Sequence, residues 1–370
     1  MRIGLCKEVI ESEKRVLLTP QDAGSICDQG YTVLVERNAG LAAGYLDSDY
    51  SKHGAIPVSK EHLWETSDVV IKFKAPQRNE YSLVRQKQII GAFMHAEGNQ
   101  QLVKALCNAK ATAYAFEFFK TENGFFPMSF VDSEVAGKLA VIYGMYHLQS
   151  HLGGAGVLLS PVVGAPMPKV VVIGYGNAGN AAIRVAEALG VEVVVVGRNK
   201  ERLRKYQATV RSNVHCVIYS ERELREQVRD ADLVIGAIQI STFDTPPLLT
   251  DEMVKQMKKG AVIVDVTCGY GSGYMPSFDR STSLQNPIYE KYGVLHCKID
   301  ILPAAVPITT TQAVSKNITP YLLNWFNSLE GTMQDNVSHA GLIIQDGIIC
   351  HNEVKRHMDY WCAQNQTATE

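Results

Sequence analysis

A run of β-branched residues, Lys169-Val-Val-Val-Ile173, leads into Gly174-Tyr-Gly176-Asn177-Ala178-Gly179. A helix-like segment follows, and then a second apolar run that ends at Val196. Strand, glycine turn, helix and strand in this order make a βαβ unit that binds a dinucleotide. Gly174 permits the tight turn, Gly176 lets the backbone approach a pyrophosphate, and Gly179 lets helix pack on strand. Asn177 and Ala178 open the helix, whose first N–H groups lack intrahelical partners and suit phosphate. A lone GxGxxG is weak, but its position between two strands at the required spacing favours a cofactor site over a plain βαβ turn.

The end of the second strand refines the cofactor. An NAD-binding unit places Asp or Glu about 20 residues after the glycines to accept from the ribose 2′-hydroxyl. Here Gly197 stands there, followed by Arg198, Asn199, Lys200 and Arg202. With no carboxylate to repel a 2′-phosphate and guanidinium groups to grip it, the expected cofactor is NADP rather than NAD. The plainer reading is that these cations coat a solvated helix start.

The elements that must position this unit fit a chain of 370 residues, long for one core, so two domains are expected. It is 46% hydrophobic and 20% charged, with a net charge of −2. The basic residues are dispersed among acids, which argues against a nucleic-acid partner. The eight cysteines show no CxxC or metal-finger spacing, so reduced thiols and a cytoplasmic location are expected, and no metal site. Met1-Arg-Ile-Gly4 leads straight into structured-looking sequence without a signal peptide. The apolar stretch from Gly153 to Val172 carries Gly, Pro and Lys169, so it is not a membrane span.

Residues 1–130 alternate short strands and helices. Strands are expected at Arg2–Leu5, Thr32–Glu36, Val69–Phe73, Gln88–Phe93 and Thr112–Ala115, with helices at Gln21–Gln29 and Gln100–Ala109. Residues 131–152 read as one long helix, with Ala136, Leu139, Tyr143 and Leu148 at helical spacing. Gly153–Pro168 is a Gly- and Pro-rich loop. Further strands are expected at Val214–Tyr219, Leu233–Gly236, Val262–Val266 and Gly293–His296, helix from Thr311, and a hairpin at Leu342–Ile349. The fold class is α/β: two Rossmann-like doubly wound domains, a nucleotide domain (131–304) inserted into a discontinuous substrate domain (1–130 and 305–370), with the site in the cleft between them.

Several segments carry a resemblance along nearly the whole chain. Met1-Arg-Ile-Gly-Leu-Cys-Lys-Glu8, Lys14-Arg-Val-Leu-Leu-Thr-Pro20, Val69-Val-Ile-Lys-Phe-Lys-Ala-Pro76, Ser133-Glu-Val-Ala-Gly137 and Ala231-Asp-Leu-Val-Ile-Gly236 resemble the alanine dehydrogenase family. That family includes the NAD-binding part of proton-pumping transhydrogenase and, more distantly, saccharopine dehydrogenase. The resemblance implies that Arg15 pairs with a substrate carboxylate, a task suited to a permanently charged, two-pronged guanidinium. It implies that Lys74, at a strand end, holds the substrate's carboxylate or carbonyl oxygen, with Lys72 the decoy on the same face. It implies that His95, after Ile89-Ile-Gly-Ala-Phe-Met94, is the general acid/base, because imidazole titrates near neutrality. It implies that Ser133 and Glu134 match a helix start that lines the cofactor; without that match Ser133 would be a plain N-cap. Ala237 and Ile238, directly after the strand Leu233–Gly236, join the cofactor-binding set.

The departures matter too. Alanine dehydrogenases carry Asp-Val-Ala-Ile-Asp-Gln-Gly-Gly where this chain reads Asp265-Val-Thr-Cys-Gly269-Tyr-Gly-Ser272, so the second aspartate is Gly269. The family's Ala-Asn-Met-Pro becomes Lys298-Ile-Asp300-Ile-Leu-Pro303, closer to saccharopine-type enzymes. Asp300 is therefore a candidate replacement for the missing carboxylate, a partner of Arg15 in the empty site, or a loop or helix cap.

The resulting expectation is an NADP-dependent oxidoreductase acting on an amino acid, a 2-oxo acid or an imine, and not a typical alanine dehydrogenase. Its pocket should admit something larger or less polar than pyruvate. The alternatives are a saccharopine- or opine-type enzyme joining an amine to a 2-oxo acid, and a non-catalytic NADP-binding sensor. A transhydrogenase component would need NAD and a membrane partner, against which Gly197 argues. The family's symmetric assemblies imply a homo-oligomer; Val135–Tyr146 could be its interface helix, though a buried core helix explains the same pattern.

Overall fold

The structure is a computed structural model and describes residues 1–238, 246–267 and 274–367. It divides into two compact units, Met1–Val131 with Val306–Glu370, and Asp132–Ala305. The first unit holds β1 (Arg2–Leu5), β2 (Thr32–Glu36), β3 (Ile56–Val58), β4 (Val69–Lys74), β5 (Ile89–Phe93), β6 (Thr112–Ala115), β14 (Leu342–Gln345) and β15 (Ile348–Ile349). The second holds β7 (Lys169–Ile173), β8 (Glu192–Gly197), β9 (Val214–Ile218), β10 (Leu233–Gly236), β11 (Val262–Asp265), β12 (Tyr289–Lys291) and β13 (Val294–Cys297).

The sheet of the first unit runs β15-β14-β6-β5-β4-β1-β2-β3, and that of the second β12-β13-β11-β10-β7-β8-β9. β1–β6 pair in parallel, as do β7–β11 and β13; this is the doubly wound arrangement expected of the fold class. Strands covered on both faces read as continuous apolar runs, and all six residues of β4, Val-Val-Ile-Lys-Phe-Lys, are buried. Strand order reverses between β1 and β4 in one sheet and between β7 and β10 in the other. In open α/β sheets such switch points are where ligands bind, at the carboxyl ends of the strands.

The hairpin β14–β15 adds antiparallel strands to β6. Its turn, Asp346-Gly347, has φ of 50° and 83°, which a two-residue type I′ hairpin requires. The helix Pro307–Leu329 begins at its proline rather than at Thr311, and buries Val314, Ile318, Leu322, Trp325 and Phe326 in the core of the first unit.

Three differences from the sequence reading have local causes. The expected helix over 131–152 runs Phe130–His147 and then breaks into a 3-10 turn, Ser150–Leu152. Gly153 is left-handed (φ 88°), and Gly154 packs so closely on the helix end that a Cβ would overlap the His147 carbonyl oxygen. β3 went unseen because Pro57 interrupts it; a proline is tolerated there because β3 is an edge strand. β12 is three residues long, too short for an alternating pattern.

Candidate active site

In the second unit, the glycine turn sits at the carboxyl end of β7, beside the end of β10. Gly174 has φ 99°, and a Cβ there would overlap the Ala237 carbonyl oxygen and meet Ile238 Cγ2 at 2.9 Å. At Gly179 a Cβ would overlap the Gly174 carbonyl oxygen. Both glycines are thus required by the fold itself, and Ala237 and Ile238 form the wall they pack against.

Gly176 differs. Its φ of −71° and ψ of −161° suit any residue, and a Cβ there would find nothing within 4 Å. It caps the helix Asn177–Ala188, whose first turn includes Ala178. Neither backbone conformation nor internal packing requires this glycine, so the open space fits a ligand's close approach, as a pyrophosphate makes. The residues present therefore fit a dinucleotide.

Ser133 lies in the first turn of Phe130–His147, three residues inside its start, so it is not the N-cap. The segment's glycine has a clear role that sequence reasoning missed. A Cβ on Gly137 would overlap the Ala178 carbonyl oxygen, so this helix presses directly on the first turn of the nucleotide helix. At the end of β8, Gly197 is buried, while Arg198, Asn199 and Arg202 are exposed. The Asn199 side chain caps the helix Lys200–Gln207 by accepting from the Arg202 N–H (2.9 Å).

In the first unit, polar side chains gather at the switch point between β1 and β4. Arg15 is 1% exposed and forms a two-pronged pair with Glu13: Nε donates to Oε1 at 2.7 Å and Nη2 to Oε2 at 2.5 Å. Its guanidinium lies 3.9 Å over the Phe73 ring, and Phe73 packs on Phe93 at 5.5 Å between centroids. Glu8 accepts from the Phe73 N–H at 2.8 Å, while its Oε2 is buried with no partner among the described residues. Burial lifts the Glu8 carboxyl to about 7, opposed by Lys72 and reinforced by Glu13.

The two lysines of β4 part company. Lys72 is fully buried and pairs with Glu80 at 2.5 Å, which makes it part of a structural ion pair. Burial lowers its affinity for the proton, but Glu8 and Glu80 outweigh this and raise it. Lys74 ends the strand opposite Phe93 of β5, and its ammonium has no hydrogen bond or ion pair among the described residues. His95 follows two residues after Phe93, so the ends of β4 and β5 bring Lys74 and His95 together.

His95 has left-handed backbone (φ 43°, ψ 45°), uncommon for a non-glycine residue. Glu117 accepts the backbone N–H of Met94 at 3.0 Å and of His95 at 2.6 Å. Burial disfavours the imidazolium, but Glu97, 3.9 Å from Nδ1, and the carboxylate of Glu117 outweigh it. The net effect holds the His95 pKa above its ordinary value, with Lys74 opposing. Burial raises Glu117 in turn, opposed by His95.

Asp300 is exposed in the second unit and accepts a hydrogen bond from the Ser281 hydroxyl at 3.2 Å. Two residues earlier, Lys298 is buried on Asp265 at 2.6 Å, and Asp265 also accepts from the Thr267 N–H and the Tyr274 hydroxyl. Gly269, with the departures around it, lies outside the described residues. Among the described residues no group of His, Cys, Asp and Glu side chains could hold a metal ion, and no helix is long and apolar enough to cross a membrane.

Two mainly parallel sheets with switch points, one carrying a Gly-x-Gly-x-x-Gly turn and the other a Lys–His pair, define a Rossmann-type architecture. Comparison makes the family explicit. Residues 4–133 match the alanine dehydrogenase/PNT N-terminal domain and residues 140–352 its C-terminal domain. The chain is 36% identical over 321 residues to the alanine dehydrogenase of Staphylococcus epidermidis, covering 87% of this chain and 86% of that one. It is 35% identical to the alanine dehydrogenase of Staphylococcus haemolyticus, covering 96% and 95%. Among solved structures, an L-alanine dehydrogenase superposes with a TM-score of 0.88 at 33% identity, over 97% of this chain and 99% of that one. A transhydrogenase from Sinorhizobium meliloti shares the fold (TM-score 0.79, 22% identity, 95% and 99% covered).

The chain belongs to the alanine dehydrogenase/PNT family and is a nicotinamide-nucleotide-dependent amino acid dehydrogenase. The expectation that it stands apart from typical alanine dehydrogenases finds no support in these comparisons, where relatives of that name match almost end to end.

Proposed function

We propose that the chain interconverts an amino acid and its 2-oxo acid, through the imine, with NADP as its nucleotide. The observation that carries the nucleotide site is Gly176, a glycine that neither the backbone nor the packing requires. When bound, the nucleotide supplies or accepts the hydride. Gly174, Gly176, Asn177, Ala178 and Gly179 would hold its pyrophosphate, with Ser133, Ala237 and Ile238 lining it. Arg198, Asn199 and Arg202, next to Gly197, would hold the ribose 2′-phosphate.

Arg15 binds the substrate carboxylate: its guanidinium is already oriented by Glu13 and Phe73, so little side-chain freedom is lost on binding. Lys74, with its ammonium unpaired among the described residues, polarises the carbonyl or imine. His95 gives up or receives the proton, and the nearby Glu97 and Glu117 favour its acid form against burial and Lys74. Asp300, at the end of the loop held by Ser281, supplies the negative charge that Gly269 lacks.

The relatives' names make pyruvate and L-alanine the first pair to assay. The test is NADPH consumption across a panel of 2-oxo acids, with ammonia and with larger amines. Turnover with ammonia supports the proposal, turnover only with larger amines moves the chain to the opine class, and tight NADPH binding without turnover makes it a sensor.

A further inference from the structure

Between the first two glycines of the turn lies a side chain that the dinucleotide motif does not specify, Tyr175. Its ring fills the space a side chain at position 197 would need: a Cβ on Gly197 would overlap Tyr175 Cε1 and meet Leu203 Cδ1 at 3.0 Å. Gly197 lacks left-handed backbone, so space alone demands the glycine. The ring is buttressed from behind. Tyr175 packs on Tyr206 with centroids 5.3 Å apart, and the Tyr206 hydroxyl donates to Asn180 Oδ1 at 2.7 Å, joining the two helices that flank the turn. Burial also pushes the Tyr206 hydroxyl up to about 12, so it stays neutral and keeps donating.

We propose that Tyr175 and Gly197 act as one specificity device, in which an aromatic ring occupies the position from which a carboxylate would read an unmodified ribose. This rests on the nucleotide reading given above and names the residues that set its selectivity. A carboxylate introduced at 197 would collide with the ring, so it could not reach a ribose hydroxyl while the ring stays in place. The ring thereby excludes the group that favours NAD. The adjacent Arg198 and Arg202, exposed and without ion pairs among the described residues, are left to meet a 2′-phosphate.

The test is a double-mutant cycle on the full chain, with dissociation constants for NADPH and NADH measured by fluorescence titration and melting temperature recorded in parallel. Gly197→Asp alone is expected to lower the melting temperature and weaken both nucleotides at least tenfold. Tyr175→Gly/Gly197→Asp should regain the melting temperature and bind NADH at least tenfold more tightly than the two single effects combined would give. Tyr175→Phe, which keeps the ring, should not rescue Gly197→Asp. Additive effects in the cycle, or a Gly197→Asp variant that gains NADH affinity with Tyr175 in place, would overturn the device. A wild-type preference for NADH would instead refute the NADP reading, and the cycle would still report whether the two positions are coupled.

Discussion

Glu117 accepts the backbone N–H of His95 at 2.6 Å and so fixes a histidine in left-handed backbone at the end of β5. That conformation costs roughly 1–2 kcal/mol for a residue with a Cβ. The same carboxyl accepts the N–H of Met94, so one half-buried side chain holds the turn that carries the imidazole.

The pH dependence of His95 follows from its neighbours. Its pKa is raised in the folded chain, so its stabilising contribution is complete below the unfolded value, about 6.5, and fades as pH rises through the folded value. Glu97→Gln removes an acid that stabilises the imidazolium, and should shift the His95 limb of the pH–rate profile to lower pH. His95→Ala should lower kcat by about 10²–10⁴-fold without loss of fold. An unchanged profile in Glu97→Gln, or full activity in His95→Ala, would remove these residues from the proton step.

Arg15 is paired before any substrate arrives, which separates two effects of its removal. Arg15→Met leaves the Glu13 carboxylate buried without its cation, retaining only the backbone N–H of residue 15, at a cost of about 3–5 kcal/mol. Arg15→Met/Glu13→Gln should recover much of that stability in denaturant unfolding while the KM for the 2-oxo acid stays high. Recovery of KM along with stability would mean that Arg15 is structural alone.

The two outer glycines and the central one should respond in opposite ways. Gly174→Ala meets both a positive φ and the Ala237 carbonyl, so it should lower the melting temperature by several degrees. Gly176→Ala meets nothing and should melt like the parent, yet weaken nucleotide binding at least tenfold. A Gly176→Ala chain with native nucleotide affinity would place the pyrophosphate elsewhere.

Asp300→Asn keeps volume and can still accept from Ser281, but removes the charge. If Asp300 supplies the carboxylate absent at Gly269, kcat should fall sharply with melting temperature unchanged. Native kinetics would return Asp300 to a loop cap.

Local signals in the chain carried much of this arrangement. The β-branched run into Gly174-Tyr-Gly176 foretold β7, its helix and the turn between them, and Asp346-Gly347 foretold the hairpin. Long-range pairings were not legible. Nothing near Glu117 in sequence announces that it will hold His95 across 22 positions, and Tyr175 looks like a neutral filler until its ring is seen against Gly197. Glu13 was adjacent to Arg15 and could have been found, since a buried guanidinium needs an anion. β3 is interrupted by Pro57, and the three residues of β12 are too few for a period to show.

The most direct measurement follows the hydride and the nitrogen together. The chain is incubated with NADPH deuterated at the transferable C4 position, ¹⁵N-ammonia and the 2-oxo acid panel, and the products are analysed by mass spectrometry. One 2-oxo acid should yield an amino acid carrying a single deuterium at Cα and one ¹⁵N, and His95→Ala should suppress it. A deuterated 2-hydroxy acid without ¹⁵N, or no deuterated product with either NADPH or NADH, would contradict the assignment.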